Sequence, residues 1–466
     1  MPRFPLERIA PAVLAIAGAA FLALALVAGP GKALQAREPG SDRAGVAPSE
    51  ARIEIRALGR TEFVPRPEPP PDIPGVWPRF RGPHFDNINR EDVPLAGAWS
   101  PGGPPVLWSV ELGEGYAAAA VLKGRVYVMD YDRVRQADVL RCLALADGTD
   151  VWRFSYPVKV MRYHGMSRTI PAVDEKHVVA LGPKAYVVCC DAATGELRWA
   201  IDLVADWGAR VPRWYAGQCP LIDGDVAILA PAGTALMIAV DLSTGAVQWT
   251  APNPANWTMT HSSIIPMDYR GKRTYVYCGS GGVAGVSAAD GSILWTTTEW
   301  RIGMATVPSP VIAGEDRIFL TGGYNAGSAM LALEEKDGAI ASRVLYRIDA
   351  KGFASIQQTP ICYEGHLYGV KYDGRLACAD LDGKIRWTSG GRKFALGPIA
   401  IAGGRLYALG DQGLLVLAEA TPDGYRELAS AQVLAGHEAW GPLAIAGGRL
   451  LARDSTRMVC LDIRAR

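Results

Sequence analysis

One twelve-residue pattern recurs through this chain and limits what it can fold into more than any other feature. "RCLALADGTDVW" ending at Trp152, "VCCDAATGELRW" at Trp199, "IAVDLSTGAVQW" at Trp249, "AGVSAADGSILW" at Trp295 and "LACADLDGKIRW" at Trp387 align without gaps, each with a Gly four residues before the Trp. The first four are spaced by roughly 46 to 50 residues, and Trp387 follows after a double interval. "LALEEKDGAIAS" fills that interval, with Gly338 in register and Ser342 in the place of the Trp. A degenerate seventh copy runs through "LAEATPDGYREL", and an eighth starts at "PLAIAGGRLLARDSTRMVCLD". The eighth lacks a last strand of its own. "GGPPVLWSVELG", which puts Trp108 one period before Trp152, is expected to supply it and so tie the two ends of the domain together.

Each unit also opens alike, as in "SRTIPAVDEKHVVAL", "AGQCPLIDGDVAILA", "TVPSPVIAGEDRIFL" and "ALGPIAIAGGRLYAL". These are short apolar strands broken by Gly or Asp turns, with no helical period. Units of about 40 to 50 residues with four strands each are blades of a β-propeller. The expected fold is all-β: an eight-bladed propeller of four-stranded blades over residues 77–466. With 52 Gly, 33 Pro and only 20% charged residues, the chain suits many strands and turns better than long solvated helices. In the turn, Gly supplies a positive φ and Asp or Thr bonds back to the turn amides. Trp108, Trp152, Trp199, Trp249, Trp295 and Trp387 are expected to pack across to the next blade as structural residues.

The "LDAxTGxxxW" unit resembles the repeat of the quinoprotein alcohol dehydrogenase-like superfamily, the PQQ-repeat propellers. That resemblance covers residues 77–466. It implies the propeller fold and leaves two functions open, because the superfamily holds PQQ-dependent dehydrogenases and a non-catalytic propeller of the outer-membrane barrel-assembly machine. The opening "WPRFRGPHFDN" at Trp77 to Asn87 is similar to a group of bacterial PQQ-like repeat proteins.

The adjacent pair Cys189-Cys190 raises the enzyme reading, since the dehydrogenases carry a disulfide between neighbouring cysteines beside the cofactor. Here, however, Cys142, Cys189 and Cys460 share one column of the repeat, and Cys190 and Cys378 share the next with Leu143, Val240, Val286 and Leu461. Successive strand residues face opposite sides, so Cys189 and Cys190 are expected to face different blades as free thiols. There is no C-x-x-C-H signature and no metal-type Cys/His spacing.

Before the propeller, Arg3 and Arg8 flank an apolar run from Ile9 to Ala28, expected as a signal-anchor helix or a cleaved signal peptide over residues 1–28. Residues 29–76, ending in "VPRPEPPPDIPG", read as a Pro-rich disordered linker. The body is therefore expected outside the cytoplasm, in the periplasm, anchored to the inner membrane or secreted. A net charge of +1 without a basic cluster argues against nucleic acid as a partner.

A propeller binds ligands at the mouth of its central channel, so the polar residues ahead of each first strand are the candidates. They are Glu114, Tyr116, His164, Arg168, Trp214, Tyr215, Trp257, His261, Trp300, Arg301, Gln357, Gln358, Lys393, His437, Glu438 and Trp440. This ring of aromatic, basic and amide groups suits an anionic or sugar-like ligand. A Ca²⁺-held quinone needs several carboxylate oxygens and an Asp base. Only Glu114 and Glu438 are acidic here, with Asn256 as a possible amide. The expectation is a non-catalytic binding or scaffold module of the cell envelope, with no metal and no cofactor, whose partner is an envelope protein or a small sugar-like ligand. The alternatives are a PQQ- and Ca²⁺-dependent alcohol or aldose dehydrogenase and a carbohydrate-binding propeller.

Overall fold

The computed structural model of the chain describes Gly40, Arg43 and residues 53–65, 68–162 and 166–465. Among them lie eight antiparallel sheets of four strands, two of which carry a fifth strand from the N-terminal segment. Blade 1, from the channel outward, is Ala120–Leu122, Arg125–Asp132, Ala137–Ala144 and Asp150–Pro157. Blades 2 to 7 repeat that order along the chain. Blade 8 combines Ala444–Ala446, Arg449–Arg453 and Arg457–Asp462 with Val106–Glu111 as its outermost strand. In that closing pair Trp108 stands opposite Cys460, so the expected exchange of the last strand is what the structure holds.

The recurrent Trp has a defined seat. In all eight blades the pairing of the third and fourth strands slips by one residue, for example between Cys189 and Cys190 or between Ala239 and Val240. Such a bulge twists the outer strand and re-aims the side chain that follows. The indole then reaches the next blade. Nε1 of Trp108, Trp152, Trp199, Trp249 and Trp387 donates to the carbonyls of Leu145, Ala192, Leu242, Ala288 and Thr421, at 2.8, 3.2, 2.8, 3.1 and 2.7 Å. Each acceptor sits three residues before the turn Gly of the neighbouring blade. For Trp108, Trp152, Trp199 and Trp249 the ring face lies on that Gly itself: a Cβ on Gly195 would come within 2.5 Å of Trp152, and one on Gly291 within 2.5 Å of Trp249, whereas nothing lies within 4 Å of a Cβ on Gly424, the turn Gly beyond Trp387.

Trp295 departs from this pattern. It is buried against Gly285 of its own blade, and its Nε1 has no partner among the described residues. The cause is the next blade, whose hairpin has ten-residue strands, Gly327–Lys336 and Ala339–Ile348, so its turn at Gly338 projects past the point where an indole could reach it. The same lengthening corrects the expected place of the sixth Trp equivalent. The residue after the bulge is Tyr346, not Ser342, and Tyr346 is the side chain that meets Gly383 of blade 6.

The expectation of a disordered linker is corrected over its described part. Ile55–Leu58 forms one helical turn with Ile55 buried, and Arg60–Phe63 adds a fifth strand to the outer edge of blade 1, with Phe63 opposite Trp152. An outer strand leaves a row of unpaired backbone groups, and the extended segment Arg60–Phe63 satisfies part of it. Arg43 adds a buried ion pair to Asp202 at 2.7 Å. Residues 1–28, expected as anchor or signal, lie outside the described residues. Among the described residues no helix is long and apolar enough to cross a membrane.

The two cysteines divide as the strand alternation requires. Cys189 packs in the core between blades 2 and 3 with Trp199, while Cys190 packs between blades 1 and 2 with Trp152. Both thiols are free and buried.

The segment from Trp77 to Asn89 runs across the inner strands. Trp77 exchanges backbone bonds with Val121 of blade 1, Pro78 accepts from Val173 of blade 2, and Arg79 donates to the Ile222 carbonyl of blade 3. Arg81, fully buried, donates to the carbonyls of Thr359 and Pro360 at blade 6, at 3.1 and 3.0 Å. Asn87 then donates to Ile399 of blade 7 and Asn89 to Ile445 of blade 8. One short stretch thus holds six blades and forms a plug across the channel.

Two predictions follow from the packing. Gly195 and Gly338 both have a positive φ, but only Gly195 carries an indole. Gly338→Ala should therefore cost about 1 kcal/mol and Gly195→Ala roughly 2 kcal/mol or more in urea unfolding. Equal costs would remove the indole seat as the cause. Asp138 is fully buried in blade 1, and the nearby Tyr156 hydroxyl lies outside hydrogen-bonding geometry. Burial pushes its pKa up to about 7, opposed by Tyr156 and Lys184. An acid with a raised folded pKa takes up a proton on folding, so its contribution to stability falls between about pH 4 and pH 7 and is flat above. Asp138→Asn should remove that slope and raise stability at pH 8 by on the order of 1–3 kcal/mol, read from thermal melts across pH.

Candidate functional site

A proline opens most inner strands, and the residue before it forms a clip between blades. Ile170 N–H donates to Cys219 Sγ at 3.3 Å, Cys219 N–H to Ser263 Oγ at 2.9 Å, Ser263 N–H to Ser309 Oγ at 2.9 Å and Ser309 N–H to Thr359 Oγ1 at 3.0 Å. These small polar side chains take up inner backbone donors that the narrow centre would otherwise strand. They also leave room above them. A cavity of about 350 Å³ opens there, floored by Phe80 and Asn87 of the plug.

Of the candidates read from sequence, Tyr116, Arg168, Trp214, His261, Gln357, Gln358 and Trp440 line this cavity. Tyr215 lies fully buried behind it, with its hydroxyl accepting from Met161 N–H at 2.8 Å. Glu438 sits beside it and accepts from the Tyr116 hydroxyl at 2.7 Å. The others are placed elsewhere. Glu114 is held by Arg162 in a two-pronged pair at 2.6 and 2.8 Å, which lowers its pKa. Arg301, Lys393 and His437 are exposed and do not line the cavity. Trp257 and Trp300 are buried in inter-blade cores. His164 lies outside the described residues.

Sequence reasoning missed Phe80, Asn87 and Tyr324. In an antiparallel four-stranded blade, the loop into the first strand and the hairpin between the second and third emerge at the same end. Tyr324 sits on such a hairpin, in "GGYNAGS", so the signal was available in the topology.

The site is electrostatically uneven. Arg168 lies over the Tyr116 ring with its Cζ 5.4 Å from the centroid, yet its Nε and Nη2 have no hydrogen-bond partner among the described residues. Burial lowers its pKa to about 10, with Tyr116, Tyr215 and Glu438 acting the other way, so it stays charged at neutral pH. His261 is pushed down to about 4 by burial and by the Arg168 charge, against backbone hydrogen bonding from Arg213 and Tyr215. It is neutral, and its Nδ1 is also without a partner. Asn87 is anchored through Nδ2 on Ile399, leaving Oδ1 unpaired.

Backbone strain gathers at the same place. Trp214 and Tyr215 follow one another at φ of 65° and 72°, and Asn87, Tyr324 and Glu438 are at 62°, 56° and 56°. Bulky residues in this region cost about 1–3 kcal/mol each and tend to persist where function holds them. Among the described residues no carboxylate lines the cavity. A Ca²⁺ ion takes six to eight oxygen ligands, commonly with several carboxylates, so the donors present do not fit a Ca²⁺-held quinone. Among the described residues no group of three His, Cys, Asp or Glu could hold a metal.

The sequence profile of a family described as outer membrane protein assembly factor BamB matches residues 135–389, more than half of the chain. The chain belongs to this family of PQQ-repeat propellers. No curated protein matches it in sequence. Among solved structures, BamB from Moraxella catarrhalis is 14% identical with a TM-score of 0.54, covering 77% of this chain and 99% of that one. The computationally designed Ika8 protein is 12% identical with a TM-score of 0.52, covering 77% of this propeller and all of its own chain. The quinohemoprotein alcohol dehydrogenase from Comamonas testosteroni is 13% identical with a TM-score of 0.45, covering 84% of this chain and 81% of that one. Identities this low show the fold of a PQQ-repeat propeller alone.

Because the Nε and Nη2 atoms of Arg168 have no hydrogen-bond partner among the described residues, removing them breaks none of the hydrogen bonds seen and relieves the desolvation of a charge. Arg168→Met should therefore leave the thermal midpoint of the free protein unchanged or raise it. A destabilisation above about 1 kcal/mol would show that Arg168 is structural.

Proposed function

We propose that this protein is an extracytoplasmic binding propeller of the cell envelope, not a redox enzyme, and that the channel-mouth cavity is its recognition site. One observation carries the reading: the channel-mouth cavity is lined by Arg168, His261 and several aromatic side chains, with no carboxylate among the described residues that line it. A quinone site of the Ca²⁺ type requires the opposite polarity at its metal.

The envelope location is supported by the Arg-flanked apolar run of residues 9–28 and by the description of the family as an outer membrane protein assembly factor. That role also supports a protein partner.

The deciding experiment adds PQQ and Ca²⁺ to the purified propeller, desalts it, and records quinone absorbance together with dye-linked oxidation of alcohols and aldoses. Neither retention nor turnover is expected. Stoichiometric retention with turnover would sink the binding-module reading and restore the dehydrogenase.

A further inference from the structure

The two ends of the propeller differ in charge, and the repeat itself is the cause. The turn between the third and fourth strands needs a side-chain acceptor for its amides, so every blade from Asp147 in blade 1 to Asp423 in blade 7 brings an acid to the end away from the mouth. The chain as a whole nevertheless has a net charge of +1, and the compensating bases gather at the mouth. On its loops and hairpins Arg133, Lys159, Arg210, Arg301, Lys351 and Lys393 are exposed and make no ion pair among the described residues. Of the exposed acids on the same loops and hairpins, Glu299 and Asp373 are neutralised by Arg347 and Arg375, and Asp206 and Asp349 remain as counter-charges.

Apolar side chains stand among these bases. Val134, between Arg133 and Arg135, is 95% exposed, and Met304, Tyr324 and Tyr372 are 53%, 43% and 57% exposed. They belong to blades 1, 5 and 6, and blades 1 and 5 stand across the channel from each other in an eight-bladed ring. A flat surface meets both at once. Bases interleaved with aromatic and aliphatic tips are suited to a headgroup layer, where the charges are drawn to anionic lipid and the tips enter the interface.

The N-terminal segment meets the propeller at the same end. Gly40 packs on the Pro212–Tyr215 turn beside Trp214 at a φ of 93°, so close that a Cβ there would collide with the Pro212 carbonyl. Arg43 follows on blade 2, with Nη1 donating to the Lys184 carbonyl on the mouth hairpin and Nη2 to Asp202, the last residue of the outer strand. Only then does Arg60–Phe63 run down the outer edge of blade 1, away from the mouth. Residues 29–39 reach at most about 40 Å when fully extended, so a bilayer holding residues 9–28 is tethered within that distance of the mouth rim.

We infer that the mouth end of the propeller docks on the surface of a lipid bilayer with anionic headgroups, its acidic end facing away. This rests on the envelope reading above, with residues 9–28 kept as the anchor, and adds the face that meets the membrane.

The test uses the full chain reconstituted into vesicles that carry nitroxide lipid, made either of phosphatidylcholine with phosphatidylglycerol or of phosphatidylcholine alone. Val134→Cys and Tyr372→Cys place a fluorescent label at the mouth and Asp382→Cys places one at the far end, in a Cys362→Ala background because the other native thiols are buried. In the anionic vesicles the labels at 134 and 372 should be quenched about threefold more than the label at 382, and high salt or neutral lipid should remove most of that difference. Arg301→Glu combined with Lys393→Glu should lower quenching at 372 by about half or more with an unchanged melting curve. Equal quenching at both ends, stronger quenching at 382, or quenching that ignores lipid charge would overturn the assignment. Mouth labels left unquenched in anionic vesicles would do so too, and would make an acidic protein the partner of these bases. Flotation with the vesicles in high salt reads the anchor separately: a chain that floats with unquenched mouth labels keeps the anchor and loses this face, whereas a chain that does not float loses both.

Discussion

The contact of an indole ring with the bare face of a turn glycine one blade away is what the rest of this structure depends on. A four-stranded blade cannot bury both of its faces alone, so it is stable only against neighbours. The bulge before each Trp aims the ring outward from its own sheet, the glycine removes the Cβ that would block it, and the indole N–H meets a carbonyl three residues before that glycine. Geometry, burial and hydrogen bonding are thus satisfied by one residue pair, repeated. Where the pair fails, the reason is local: the ten-residue hairpin of blade 5 carries its turn away from Trp295 and moves the equivalent aromatic to Tyr346.

A closed ring held at its perimeter sets a second constraint at its centre. Inner strands crowd together there, and large side chains do not fit between them. Cys219, Ser263, Ser309 and Thr359 are small enough, and each takes the backbone N–H of the blade before it. The plug from Trp77 to Asn89 then spans the channel by bonding to six blades, with Trp77 and Arg81 as its fully buried anchors. The cavity is what remains between clip and plug on one side and the loops of the mouth on the other. Its walls are therefore made by the parts of the fold that vary from blade to blade.

That division explains what could be read from sequence. The perimeter is periodic, so blade number, strand exchange at closure and the opposite facing of Cys189 and Cys190 were all legible from the repeat. Periodicity also located seven side chains of the cavity wall, because the segment ahead of each first strand is fixed by the unit. Residues whose place depends on a single non-repeating event were not legible. Tyr324 needs the neighbouring hairpin loop to be considered, Phe80 and Asn87 need the path of the plug, and Tyr346 needs the length of one hairpin. Likewise "IEIRALGRTEF" is short enough to vanish in the average composition of a Pro-rich stretch, yet it supplies the strand that pairs with blade 1. Arg301, Lys393 and His437 share the right loops but point away, a choice made by packing and not by spacing.

The distribution of strain and unmet polarity gives the final step. Perimeter contacts are repeated around the ring, so their stabilisation accumulates and no single mouth residue has to contribute to it. The mouth can therefore hold groups that cost stability. Trp214 and Tyr215 sit at positive φ side by side, and Arg168, His261 and Asn87 keep polar atoms unpaired in one cavity. Both kinds of feature also occur away from the mouth, as at Asp138 and Lys123, so it is their local density that marks the cavity as the part of the fold least constrained by the repeat.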